Sequence, residues 1–273
     1  MSYPSPTVDS VTILVTGATG NIGRRIVDHL ISLGANDIRA LTKNPARAQL
    51  PSGVSVVTGY LGDVESLDGV FDGVERMYLA PYPPTLNATL ERIKQAGVSY
   101  VVALSGGAHW TDHADTVRAS GLPHTQLGPG EFTDNFAIWA DQIKRTNTVR
   151  EPYPTVVEAP IAMDDIARVA ARLLIEPAHH GQMLDLTGPE ALTRAEIARQ
   201  IGVGIGRDVT FEQCSRAEAE EALRPIMGDE ATWYLDVLAD GEPQRANQLV
   251  ADLTGTPAMS VAEWAAQNAE LFG

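Results

Sequence analysis

Two rhythms of apolar and polar positions alternate along the first half of the chain. Short apolar, largely β-branched runs at 12–16, 37–42, 54–58, 76–80 and 100–105 have the continuous character of strands covered on both faces. Between them, 24–33, 46–50, 65–71 and 85–96 carry the spacing of helices with one apolar side. Alternating strand and helix predict a parallel sheet, and right-handed crossovers make it doubly wound. The expected class is therefore α/β, a doubly wound parallel sheet. Ligands of such sheets sit beyond the carboxyl ends of the strands, near the point where strand order reverses.

Beyond residue 110 the pattern continues as a helix at 112–120, a strand at 124–127 ending in Gly128-Pro129-Gly130, a helix at 132–145 and a short strand at 156–159. Asp164-Asp165 reads as the cap of a helix over 166–175, followed by a strand at 183–187. Thr193 opens a helix at 194–201, 209–213 resembles an edge strand, and Ser215 caps 216–223. Helical segments at 230–239, 246–252 and 260–272 follow, without an internal repeat. This shift predicts a nucleotide-binding domain over 1–155, with strands returning from 156–189, and a small, mostly helical substrate-side subdomain over 190–273.

The first strand runs into Gly17-Ala18-Thr19-Gly20-Asn21-Ile22-Gly23, and a helical pattern begins at once. Strand, glycine turn and helix together form the context of a dinucleotide site. Gly17 lets the chain turn out of the strand. Gly20 clears the approach of a pyrophosphate, and Gly23 brings the helix close to the strand. The phosphates then meet free amides, including those of Thr19, Asn21 and Ile22, at the positive end of the helix dipole. An NAD site usually carries an acid after the second strand, for the ribose 2′-hydroxyl. Here that strand ends Thr42-Lys43-Asn44, and Arg47 follows. These groups suit a 2′-phosphate, so NADP(H) is the expected cofactor, with Arg39 or Arg47 as a helper to Thr42 and Lys43. Tyr60 and Leu61 lie past the third strand, by the expected adenine position, where Tyr60 stacks near the base or merely covers the sheet edge. Leu79, Ala80, Pro81 and Tyr82, past the fourth, border the expected nicotinamide.

Charge narrows the partners. The chain has 273 residues and a formal net charge of −15, which disfavours nucleic acid and anionic membranes. A small-molecule substrate is expected, and oligomeric state is not readable. Cys214 is the one cysteine, so no intrachain disulfide forms, in keeping with a reducing cytoplasm. Residues 1–10 are polar and lack the form of a secretion signal. His179 and His180 are adjacent, without metal-ligand spacing, and no metal is expected.

The glycine turn, Thr42-Lys43-Asn44-Pro45-Ala46-Arg47, Leu104-Ser105-Gly106-Gly107, Ala119-Ser120-Gly121-Leu122-Pro123 and Pro129-Gly130-Glu131-Phe132-Thr133-Asp134-Asn135 together resemble the NmrA-like, atypical short-chain dehydrogenase/reductase family. Leu186-Thr187-Gly188-Pro189 and Val261-Ala262-Glu263-Trp264 are similar to bacterial members, so the likeness runs nearly the whole length. It implies a Rossmann fold and NADP(H) binding. The reaction is less determined, because the family holds quinone, ketone, ene and imine reductases and also redox-sensing regulators. Gly128 stands where many members have Arg, and Tyr60 where Asp is usual.

Typical short-chain reductases protonate the substrate with a Tyr whose pKa is lowered by a Lys four residues on. No lysine of this chain has a tyrosine four residues before it. Ser105, which also borders the cofactor, occupies the place of the substrate-holding serine, or merely closes its strand. His109 and His113 follow, as substitute acids or as exposed loop histidines. Tyr82 shields the nicotinamide, donates a proton or stiffens a proline loop. Water is a further proton source. Phe132, Asn135, Phe136 and Trp139 form an aromatic stripe, core in part, and with Trp110, Met163 and Trp233 they suit a flat apolar substrate. The expected activity is NADPH-dependent reduction of a small apolar carbonyl- or quinone-type molecule, with secondary metabolism as its setting. The alternatives are a non-catalytic NADP(H) sensor and a non-redox cyclase, epimerase or dehydratase.

Overall fold

The computed structural model describes residues 11–106 and 111–273. The N-terminal arm, His109 and Trp110 lie outside them. In chain order the elements are β1 (Thr12–Val15), α1 (Asn21–Ser32), β2 (Asp37–Thr42), β3 (Ser55–Thr58), β4 (Arg76–Leu79), α2 (Leu86–Gln95), β5 (Tyr100–Leu104), α3 (Thr111–Ala119) and β6 (His124–Pro129). Then come α4 (Ala140–Thr146), β7 (Thr148–Glu151), β8 (Val157–Glu158), α5 (Met163–Ile175), β9 (Met183–Leu186) and β10 (Leu192–Thr193). The chain closes with α6 (Arg194–Ile205), β11 (Thr210–Gln213), α7 (Arg216–Met227), α8 (Glu230–Asp240), α9 (Leu249–Thr254) and α10 (Val261–Gln267).

Among the described residues one sheet has seven strands in the order β3-β2-β1-β4-β5-β6-β9. The pairs β1–β2, β2–β3, β1–β4, β4–β5 and β5–β6 are parallel, as the alternation of elements predicts. Every residue of β1 and of β5 is buried, the signature of strands with helices over both faces. The order reverses between β1 and β4, so the loops after these two strands flank the switch point. Thr16 ties the two loops together. Its hydroxyl donates to the Tyr78 carbonyl at 3.0 Å and accepts from the Ala80 amide at 2.8 Å. α1 covers the sheet with Gly23, Ile26, Val27 and Leu30.

Two compact units share the chain. The first holds residues 1–128 and 166–185, the second 129–165 and 186–273. This division differs from the one expected near residue 190. The backbone crosses at the end of β6 and again around α5, so 129–165 packs with the tail, a grouping that sequence order hides. In the second unit β8 and β11 fall on the strands expected at 156–159 and 209–213, and β7 and β10 are additional. The pair of β7 with β11 is parallel, and that of β8 with β10 antiparallel. β7 escapes a sequence reading because it has one apolar residue, Val149, and its partner lies about sixty positions away.

Helix ends follow local chemistry where side chains cap them. Thr193, Ser215 and Ser260 each accept from the third amide of the helix, while Glu196, Glu218 and Glu263 return the bond. Elsewhere tertiary contacts decide. The helix expected at 46–50 is a short 3-10 turn, Pro45–Arg47, because Arg24 takes the carbonyls of Ala48 and Gln49 at 2.7 Å each. The one expected at 65–71 stops at Leu67, before Gly69 at φ +73°. The segment after β6 is 3-10 over Thr133–Trp139 before it becomes α4. α5 begins at Met163, so Asp164 and Asp165 sit in its first turn rather than before it. Among the described residues no helix is long and apolar enough to cross a membrane.

Candidate functional site

The turn between β1 and α1 is built by three glycines under different constraints. Gly17 sits at φ +60°, a region that side chains disfavour. A Cβ on Gly23 would stand 2.2 Å from the Gly17 carbonyl oxygen, so only glycine lets α1 close against the turn. Gly20 is different. Its backbone is extended, at φ −81° and ψ 174°, and a Cβ would meet one atom, Gly17 O, at 3.2 Å. Gly20 is the N-cap of α1, no side chain caps that end, and its first turn carries no acid. The turn therefore presents amides and a positive helix end, with Thr19, Gly20 and Asn21 exposed and Ile22 half-buried.

A cation and two phenols gather beyond β2, β3 and β4. Lys43 Nζ lies 5.1 Å from the centre of the Tyr60 ring. Tyr60 and Tyr82 meet edge to face at 5.5 Å. The hydrogen bond with Tyr60 keeps the Tyr82 phenol protonated to higher pH than usual. Tyr82 thus joins Lys43 and Tyr60, residues expected at the adenosine end, rather than a proton-transfer group. Gly62 makes room for the pair, since a Cβ there would stand 2.4 Å from the Tyr60 ring and 2.7 Å from the Tyr82 hydroxyl. Thr42 is buried and accepts from the Asn44 amide at 3.2 Å, while Lys43 and Arg47 are exposed. Leu61 is buried and its carbonyl accepts from Thr85, at 2.5 Å. Leu79 is buried, and Ala80 and Pro81 are half-buried. Arg39 is no helper here. Its guanidinium donates to the Asp72 carbonyl at 2.7 Å, before the start of β4 and so at the amino ends of the strands.

Ser105 follows β5 directly. Its amide donates to Leu127 O at 2.8 Å, and its Oγ lies 2.9 Å from His113 Nδ1. His113 belongs to α3 and is buried, which pushes its pKa down and favours the neutral ring. It is a core partner of Ser105, not the exposed loop histidine of the alternative reading. Two residues that the sequence separates by a loop are here a hydrogen-bonded pair.

The second unit, taken by itself, has an ionic core. Arg194, at 0% exposure, bonds Glu151 through Nε at 2.8 Å and Nη2 at 2.6 Å, and Glu158 through Nη1 at 2.8 Å. Tyr234 Oη accepts from the same guanidinium at 2.5 Å, and Trp139 Nε1 donates to Glu151 at 2.7 Å. The guanidinium lies 4.8 Å from the Trp139 ring and 5.6 Å from the Phe136 ring. Phe136 and Trp139 are therefore core walls, 1% and 0% exposed, and their expected contact with a substrate is corrected. Phe132 is half-buried and bridges to Ile161, and Asn135 is exposed and donates to Glu131 Oε1 at 3.0 Å. Met163 is half-buried and Trp233 is 53% exposed on α8.

Glu131, Glu151, Glu158 and Arg194 are the polar residues that the sequence reading left out. Burial and then the neighbouring Glu158 push the Glu131 carboxyl up to about 7. Burial also raises Glu158, against the pull of Arg194. Nothing local marks these residues, because their partners come from β7, β8, α6 and α8. Among the described residues no group of three or more histidines, cysteines or carboxylates could hold a metal ion.

A parallel sheet, a switch point and a glycine turn opening a helix define a Rossmann-type dinucleotide-binding protein. The family model described as NAD(P)H-binding matches residues 17–177, and the chain belongs to that family. This agrees with the NmrA-like, atypical short-chain dehydrogenase/reductase resemblance. The chain is 32% identical to (4-alkanoyl-5-oxo-2,5-dihydrofuran-3-yl)methyl phosphate reductase of Streptomyces griseus, over 95% of its own length and 99% of that protein's. It is 28% identical to an NAD(P)H azoreductase of Xenophilus azovorans, over 96% and 99% respectively. The fold matches that of an NADPH-dependent quinone oxidoreductase of Escherichia coli complexed with NADPH, with TM-score 0.84 and 24% identity, over 96% of this chain and 100% of that one. The chain is an NAD(P)H-dependent oxidoreductase.

Proposed function

We propose that the protein uses NADPH to reduce a small, apolar molecule of the carbonyl or quinone type. The observation that carries the cofactor preference is the end of β2. Thr42, Lys43 and Asn44 stand there, with Arg47 next on an exposed turn, and no carboxylate occupies the place that reads a ribose 2′-hydroxyl. An ammonium and a hydroxyl suit a 2′-phosphate, which an acid would repel. The reducing activity is supported by relatives whose names are those of a furan phosphate reductase and an azoreductase.

In this reading NADPH, when bound, supplies a hydride. The amides of the turn from Gly17 to Gly23 hold the pyrophosphate, and Lys43, Thr42 and Arg47 hold the 2′-phosphate. Tyr60, braced by Tyr82, faces the adenine, with Leu61 beneath. Leu79, at the end of β4, and Ala80 and Pro81, just past it, line the cofactor. Ser105 holds a substrate oxygen, and His113 fixes the direction of its hydroxyl.

Calorimetry with NADPH, NADH and NADP, on the wild type and Lys43→Ala, tests the cofactor assignment. Tighter binding of NADPH than NADH is expected, with loss of about 1 kcal/mol, roughly fivefold, in Lys43→Ala for NADPH alone. Binding of none of the three overturns the reading. NADPH binding without its oxidation by quinones or ketones overturns the proposed substrate class.

A further inference from the structure

Lys43 is the first residue past β2, and the backbone around it is pinned. Thr42 O accepts from the Gly59 amide at 3.1 Å, and the Asn44 amide donates to Thr42 Oγ1 at 3.2 Å. Asn44 O accepts from the Arg47 amide at 3.1 Å, and Arg24 of α1 holds the carbonyls of Ala48 and Gln49. What the backbone leaves undetermined is the side chain, an exposed ammonium on a flexible four-carbon stem. Gripping an anion costs such a side chain its rotamer freedom.

The Tyr60 ring supplies a seat for that ammonium. Lys43 Nζ stands 5.1 Å from the ring centre, within reach of a cation–π contact. The ring is itself held. The Tyr60 amide donates to Ser66 Oγ at 2.9 Å, and Tyr60 O accepts from the Asp63 amide at 2.9 Å. Tyr82 meets the ring edge to face at 5.5 Å and hydrogen-bonds to it. Pro81 and Pro83 flank Tyr82 and stiffen its backbone. Gly62 leaves the space that the two phenols fill. All of these residues belong to the first unit, with the glycine turn.

We propose that Tyr60, braced by Tyr82, is a positioning residue for cofactor selection: it holds the Lys43 ammonium where a ribose 2′-phosphate is read. The inference rests on the NADPH reading above and deepens it. A carboxylate in place of this ring would hold the ammonium by an ion pair and cancel its charge. A neutral ring holds it and leaves the charge whole for an incoming phosphate. Part of the ordering cost is then met in the free protein, the usual gain of preorganisation. Adenine and pyrophosphate are common to NADH and NADPH, so a wall that only faces the adenine cannot tell the two apart. A ring that acts through Lys43 can.

Two measurements on the full chain test this. The first is calorimetry of NADPH and NADH with wild type, Tyr60→Leu and Tyr60→Phe, each also in a Lys43→Ala background. Tyr60→Leu is expected to lower the preference for NADPH over NADH by about fivefold, the worth of an exposed cation–π contact. Tyr60→Phe keeps a ring and should stay within about twofold of wild type. In the Lys43→Ala background Tyr60→Leu should leave the preference unchanged. Equal weakening of both cofactors by Tyr60→Leu, or a loss of preference that persists without Lys43, overturns the proposal. The second measurement needs no cofactor. The chain has three lysines, Lys43, Lys94 and Lys144, so lysine-labelled protein gives a simple NMR spectrum. One ε-methylene signal is expected upfield, shifted by the Tyr60 ring current, and back in the ordinary range in Tyr60→Leu. A wild-type spectrum without the shifted signal overturns the proposal, while calorimetry still decides the NADPH reading. A wild type that binds NADH as tightly as NADPH overturns that reading and the selecting role with it, even where the shifted signal shows the contact.

Discussion

Gly20→Ala separates two reasons for a glycine in the β1–α1 turn. The fold itself does not demand glycine at this position. Its φ of −81° and ψ of 174° suit alanine, and the added methyl meets only Gly17 O, at 3.2 Å. A shift of a few tenths of an ångström relieves that contact. Alanine is a poorer N-cap than glycine, and the whole penalty should stay below about 1 kcal/mol. In a protein of this size that lowers Tm by less than about 4 °C. Ligand binding is another matter. The methyl stands on the exposed side of the turn, where a pyrophosphate would meet the amides. Loss of an anion contact at a helix end, about 1 kcal/mol, together with one charge-assisted hydrogen bond, about 1.5 kcal/mol, comes to about 2.5 kcal/mol. NADPH should therefore bind about 60-fold more weakly. Calorimetry gives the Kd, and differential scanning calorimetry gives the Tm on the same preparation. Gly23→Ala is the contrast. Its Cβ would lie 2.2 Å from Gly17 O and 2.7 Å from Gly17 C, both backbone atoms that cannot rotate away. α1 must move by about 1 Å, at a cost of about 1–3 kcal/mol, so stability and binding fall together. A Gly20→Ala protein that binds NADPH within twofold of wild type would refute the assignment of this turn to the pyrophosphate.

Three further outcomes follow from the geometry. Ser105→Ala should lower kcat about tenfold or more with NADPH affinity nearly unchanged, because its hydroxyl is aimed by the hydrogen bond with His113; unchanged turnover in a steady-state assay removes Ser105 from the site. Arg194→Met should cost about 3–5 kcal/mol in urea unfolding, since it strands Glu151 and Glu158 in the core; a loss below about 1 kcal/mol would mean that those carboxyls find another partner. Glu131 is raised on folding, so its protonated form stabilises the native state fully below the ordinary carboxyl range, and that contribution disappears as pH rises through about 7. Glu131→Gln should flatten the fall in stability between about pH 4.5 and 7, and an unchanged slope would contradict the raised carboxyl.

The cofactor half of the protein was legible because its determinants are contiguous. Strand, glycine turn and helix lie within 12–32, and the basic end of β2 follows within one more unit. Short-range sterics and hydrogen bonding decide such a segment, and the caps at Thr193, Ser215 and Ser260 are local in the same sense. The sequence also named both members of the Ser105–His113 pair, eight residues apart, but not that they would bond or that burial would keep the histidine neutral. Tertiary structure alone decided the rest. It turned Tyr82 towards Tyr60, sent Arg39 to the amino ends of the strands and made Phe136 and Trp139 the walls of an ionic core. It also gathered Glu131, Glu151, Glu158 and Arg194 from four separate segments, a burial that no periodicity encodes. Whether a carboxyl is charged depends on the dielectric and the countercharges around it, and those belong to the packed chain rather than to any stretch of it.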